Sequence, residues 1–346
     1  MNGAFVLLSV YILSFVPGFG GVRRTYSAGH GQTDMSPSVY LPVMMGGNSG
    51  EGSAGSVPVL PPEGAGWLDY LNYYRATAGV LPAGVNEDWN HGAWLHSRYM
   101  VKNDYVGHIE DPQNLWYTIH GDTAAKASNL VATSNALASD REAIELWMQA
   151  PFHAVGILDP QLLEVGYGSY RDEDGGLQMG ASLDVLDGLK ELPAPVVFPI
   201  AWPADGMVIP LTSHFTEFPN PLSSCPGYQA PSGLPIILQI GAGDKVPDVT
   251  AYSFKQGDQP LDSCAFDETS YENPDPASRD LGRAVLNPRD AIVLIPRLPL
   301  APGATYTVSI TVTGAQYTWS FSISNATPQA GVLTSSTAES IEAIVK

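Results

Sequence analysis

The chain has 346 residues, 44% hydrophobic and 10% aromatic, enough to bury one to three cores and too apolar for a disordered segment. Asp and Glu total 35 against 16 Lys and Arg, a formal net charge of −19. That field repels phosphate backbones and anionic headgroups, and the sparse cations leave no basic stripe, so nucleic acid and acidic membrane surfaces are poor partners.

The first residues carry an apolar run from Ala4 to Val16 followed by small residues. The run is short for a bilayer and suits the core of a signal peptide over residues 1–20, although no Lys or Arg precedes it. An uncleaved anchor or a mis-chosen start remains the alternative. No later stretch reads as membrane-spanning. Residues 21–66 are rich in Gly, Ser and Pro and read as a flexible linker.

Order begins at Trp67. Trp67, Leu68, Leu71, Tyr74 and Ala78 recur at helical spacing until Gly79. Asn86 is a good N-cap for a second helix, with Glu87 and Asp88 in the first turn and a stripe of Trp89, Ala93, His96 and Met100. The loop NDYVGHIEDP then presents His108. A shorter helical piece, TAAKASNLVA, precedes a stronger one from Asp140 through Ala143, Ile144, Trp147 and Met148. The pattern predicts that this helix ends at Pro151 and sets His153 on a surface-facing turn. LLEVGYGSY and LQMGASLDVL, joined by DEDGG, read as a hairpin. Helices followed by antiparallel strands point to an α+β domain over residues 67–190.

A boundary falls near Lys190 to Pro195, where LKELPAPVVFPIAWPADG loses all helical period. From there to residue 325 short apolar runs alternate with Pro, Gly, Asn and Asp, and no helix-length period appears. An all-β sandwich is expected, with ATYTVSITVTG and YTWSFSIS as its last hairpin and residues 326–346 as a loose tail. Cys225 and Cys264, the two cysteines, read as one disulfide in an exported chain, with unpaired thiols as the alternative.

Five pieces in order carry a resemblance: LNYYRATAGV with Asn72 and Arg75, WLHSRYMVKNDYVGH, SNLVA, LWMQAPFHAVGIL, and VGYG with LQMGASLDV. Residues 67–187 resemble the CAP superfamily, also called SCP/PR-1, in its bacterial secreted branch. The resemblance implies a three-layer α-β-α sandwich with a cleft on one face, in which some members hold a divalent metal between two His and two Glu. His108 and His153 match the His positions. The carboxylates do not carry over, because Ser128 and Ala150 stand where the family has acids; Ser128 and Asn129 are expected to hydrogen-bond in that place. The stretch from Pro195 resembles a bacterial Ig-like domain, on WPADGMVIPLTSHFTEFPNPL, PLAPGATYTVSITV and the strand around Trp319.

Other polar residues are weighed against these. His96 lies on the apolar stripe and reads as a core group behind the cleft. His91 and His120 read as solvated, and Glu145 as facing water. Glu110 and Asp111 follow His108 and are candidates for the missing acids, although adjacent side chains diverge. No nucleophile with a base, and no metalloprotease or phosphate-loop motif, is present. The acidic stretch CAFDETSYENPDPASRD, with Asp267, Glu268, Glu272, Asp275 and Asp280, has the oxygen chemistry of a calcium site but not its spacing, and reads as a solvated loop. The expectation is an exported, non-enzymatic binding protein: the cleft of His108, His153, Ser128 and Asn129 takes a small molecule, lipid or cell-wall partner, and the Ig-like part is a spacer or adhesive module. The alternatives are a metal-assisted hydrolase with zinc on His108 and His153, and a purely structural protein whose cleft is filled by its own side chains.

Overall fold

A computed structural model describes residues 57–325, so the expected signal peptide, most of the linker and the tail lie outside the described residues. The last part of the expected linker is packed: Leu60 and Ala65 rest on the core, and the Pro62 carbonyl accepts from the Tyr70 hydroxyl.

The first half comprises α1 (Trp67–Ala76), β1 (Gly84–Val85), α2 (Glu87–Lys102), α3 (Ile119–Ala127), β2 (Ser128–Thr133), α4 (Asp140–Met148), α5 (Pro151–Ile157), β3 (Glu164–Arg171) and β4 (Met179–Asp184). The strands form one sheet in the order β1-β3-β4-β2. Successive residues of β3 face opposite ways, as a pleated strand requires. Gly166 and Gly168 meet the α2 backbone at Trp89 and Trp94, where any Cβ would collide. Tyr167 points to the other side, stacking on Trp67 at 4.9 Å and meeting Trp147 edge-on. Helices on both faces give the expected three layers, and the Gly-x-Gly of β3 is what lets α2 lie so close.

The helix α4 ends before Pro151 as expected, but the proline does not lead into an open turn. It occupies the first position of α5, where a missing N–H costs nothing, and His153 sits within that helix rather than on an open turn. Glu145 is also not solvent-facing: its side chain is 13% exposed and accepts from Tyr74 and from Arg141. Burial raises its carboxyl pKa, with Arg141 opposing.

The second half contains β5 (Ile200–Trp202), β6 (Val208–Ile209), β7 (Ser213–His214), β8 (Ser232–Gly233), β9 (Ile236–Gln239), β10 (Val249–Gln256), β11 (Gln259–Leu261), β12 (Ser263–Asp267), β13 (Ala291–Pro296), β14 (Thr305–Val312) and β15 (Ala315–Ile323). They build sheets in the orders β11-β10-β14-β15-β6 and β12-β13-β9-β5, with a small β7-β8 pair. The all-β expectation needs one correction, because α6 (Pro276–Leu286) lies between β12 and β13. Asp275 caps it through the Ser278 N–H. The acidic stretch is therefore a solvated loop only in part, with Glu272, Asp275 and Asp280 exposed and Asp267 and Glu268 buried. Asp267 is buried and accepts from Thr269 and Ser270, Glu268 accepts from Asn287, and Glu272 pairs with Arg283. Cys225 and Cys264 form the expected disulfide.

The halves share one continuous buried cluster running from Tyr70 to Ile323. Phe152 of α5 stands 5.0 Å from Tyr271 and 6.1 Å from Phe266. Polar links accompany it: Trp202 donates its indole N–H to Thr77, Gln239 donates to the Leu158 carbonyl, and Arg289 pairs with Asp159 with both side chains under 8% exposed. Several buried polar groups of each half thus find a partner in the other.

Candidate functional site

His108 occupies the loop between α2 and α3. Its Nδ1 donates to the Ala125 carbonyl at 2.6 Å; a carbonyl only accepts, so the proton resides on Nδ1 and Nε2 is the free ring nitrogen. The residue is exposed, yet the protein behind the ring displaces water and lowers its pKa from the usual imidazole value. The Ala125 carbonyl opposes that shift, and the charges of His153 and His96 reinforce it.

His153 is held from an unexpected direction. Its backbone N–H and its Nδ1 both meet Oε1 of Glu217, at 2.8 and 2.5 Å. Glu217 belongs to the segment after β7, in the second half of the chain. Its side chain is fully buried, and its Oε2 has no hydrogen-bond partner. His214 enters from β7 itself, buried, with Nδ1 donating to the Gln149 carbonyl at 2.9 Å. Burial lowers the His214 pKa; Glu217 and the Gln149 carbonyl pull it up, and His153 pushes it down.

Of the residues expected to replace the family acids, Asn129 donates its amide to the His153 carbonyl at 3.2 Å, whereas Ser128 Oγ is buried with no partner. Glu110 does not reach His108 or His153. It is buried against His96, Oε1 to Nδ1 at 2.9 Å, and its Oε2 accepts from Thr118 N–H. Asp111 stays exposed and accepts from Gln113 N–H. His91 and His120 are exposed, as expected. The carboxylate that reaches His153 is one that sequence reasoning missed. Glu217 lies in a phrase that otherwise reads only as the opening of a β domain, and no spacing connects it to α5.

All four imidazoles, of His96, His108, His153 and His214, thus spend Nδ1 on an oxygen acceptor and leave Nε2 free or buried. Metal-ligating histidines are commonly oriented in this way. Zinc nonetheless needs three or four ligands, and among the described residues no group of three or more His, Cys, Asp or Glu converges to hold an ion. The residues present do not fit the metal expected at His108 and His153. A separate cavity of about 640 Å³ opens between α4, β2 and residues 210–215, lined by Tyr70, Val131, Glu145, Leu211 and Phe215 but by none of the four imidazoles.

Residues 68–180 match the model of the cysteine-rich secretory protein family, CAP, so this stretch carries a CAP domain. Among solved structures, the chain is similar to an extracellular protein containing an SCP domain from Bacillus anthracis str. Ames. That likeness has 17% identity and a TM-score of 0.26, and it covers 35% of this chain and 39% of that one, too slight to bear on function. No curated protein matches the sequence.

Proposed function

We propose that this CAP-domain protein is an exported, non-enzymatic binding module, that its ligand or extracellular partner enters at His108 and His153, and that the β-rich half serves as cover and spacer. The observation supporting this reading is the buried Glu217, which ties His153 to the second half of the chain. The Asn129 side-chain amide donates to the His153 backbone carbonyl. With their Nδ1 atoms engaged, the two imidazoles are oriented for recognition.

The test is binding of the full chain to purified cell-wall fragments. The His108→Ala/His153→Ala double variant should lose binding, and Glu217→Gln should change it by loosening the cover. Undiminished binding by the double variant would place the site elsewhere. A metal-assisted hydrolase is the second reading, favoured by the Nδ1 pattern alone; zinc calorimetry on the same variants decides it.

A further inference from the structure

A second cluster lies on α2, on residues that the imidazole pair does not use. His91, Trp94, Arg98 and Lys102 follow one another at spacings of three and four along the helix and so share a face. Trp116 and Tyr170 flank them. The Arg98 guanidinium carbon stands 5.0 Å over the Trp94 ring and 5.2 Å over the Trp116 ring. The Lys102 ammonium lies 5.5 Å over Trp116 and 5.9 Å over Tyr170. Trp94 meets Tyr170 edge-on, and the His91 ring stacks on Trp94 at 6.2 Å, 12° from parallel. Trp116 is fixed in turn by Asn114, whose side chain accepts from its N–H and donates to Asn103.

The two cations differ in one respect. Lys102 is neutralised by Asp172, which also accepts from Tyr170. Arg98 makes no hydrogen bond or ion pair to any described residue, and its Nε is buried without a partner. Every other described arginine donates to a carbonyl or carboxylate. In a chain with a net charge of −19 and an excess of carboxylates, an arginine held against two indole rings with no carboxylate or carbonyl partner among the described residues stands apart from the others.

We propose that this aromatic clamp is a binding site for an acidic sugar, with one carboxylate on the Arg98 guanidinium and the pyranose ring against the neighbouring aromatic rings. A guanidinium matches a carboxylate through paired N–H donors, and cation–π contacts fix its plane before the ligand arrives. The half-buried indole and phenol rings and the exposed imidazole offer flat apolar faces with polar rims, which suits the C–H face of a sugar better than an aliphatic chain. One unpaired cation selects one carboxylate. The overall negative field disfavours a phosphate polymer.

The test uses the full chain and methyl β-glucuronide, with methyl β-glucoside and acetate as probes lacking the carboxylate and the ring. Indole N–H resonances of the tryptophans report occupancy. The glucuronide should bind saturably and about tenfold or more tighter than either control, a difference of about 1.4 kcal/mol. Arg98→Lys and Trp116→Leu should each weaken it about tenfold while leaving thermal unfolding close to that of the parent chain. Saturation that is absent, matched by acetate or the glucoside, or undiminished in both variants overturns the proposal. Should Trp116→Leu unfold, Arg98→Lys alone decides.

Discussion

Glu217 and His153 meet across 64 positions of sequence, with one carboxylate oxygen serving both the backbone N–H and the ring nitrogen of the same residue. Removing the carboxylate leaves two donors at a site from which solvent is largely excluded. Glu217→Ala should therefore destabilise the fold by about 1–3 kcal/mol, measured by denaturant unfolding. In a double-mutant cycle with His153→Ala the losses should fall short of additive by about 1 kcal/mol. Additive losses would show that the contact contributes no coupling.

Zinc provides a separate check on the cleft. The expected outcome of calorimetry is weak heat that does not differ between the parent chain and His108→Ala/His153→Ala, because two imidazoles supply too few ligands. A stoichiometric, tight isotherm abolished by the double variant would return the metal reading to first place.

Asp184, 2% exposed at the end of β4, predicts a pH dependence of stability. Burial raises its carboxyl pKa from 3.8 to about 7; the N–H groups of Asp187 and Leu186 oppose this, and the Asp187 charge adds to it. The folded state holds the proton more tightly than the unfolded one, so this contribution is complete below about pH 4 and is lost as pH rises towards 7. The loss amounts to at most about 4 kcal/mol and belongs to the Asp184–Asp187 pair jointly. Asp184→Asn, which keeps an acceptor for both N–H groups, should be more stable than the parent at pH 8 and nearly equal at pH 4. An unchanged pH profile in the variant would assign the effect elsewhere.

Reduction of the Cys225–Cys264 bond, which spans 39 positions, should cost about 4 kcal/mol in the chain-entropy description. Unfolding curves with and without reductant measure it.

Phe152 bridges α5 to the aromatic pair Phe266 and Tyr271. Phe152→Ala should cost about 3–5 kcal/mol and lower the unfolding of both halves together, since they share one core. Two separated transitions would indicate that the halves unfold independently.

The local elements were legible in the sequence because their signals are local. Helix spacing located α1, α2 and α4, the Gly-rich turn located the β3–β4 hairpin, and the ordered CAP-like pieces indicated an α-β-α sandwich whose His positions fall at His108 and His153. The one helix of the β-rich half escaped notice because Pro276, Gly282 and a charged face obscure its short apolar stripe. Pro151 misled because a proline that closes one helix also opens the next. What surrounds the imidazoles was decided only by tertiary structure. Glu217 reaches His153, and His214 the Gln149 carbonyl, through the packing of one half on the other, and a contact made by folding leaves no period or spacing in the chain. The same holds for Arg98: the sequence shows a cation on a helix, and only the folded arrangement of Trp94, Trp116 and Asp172 shows that, among the described arginines, it alone has neither a carbonyl nor a carboxylate partner.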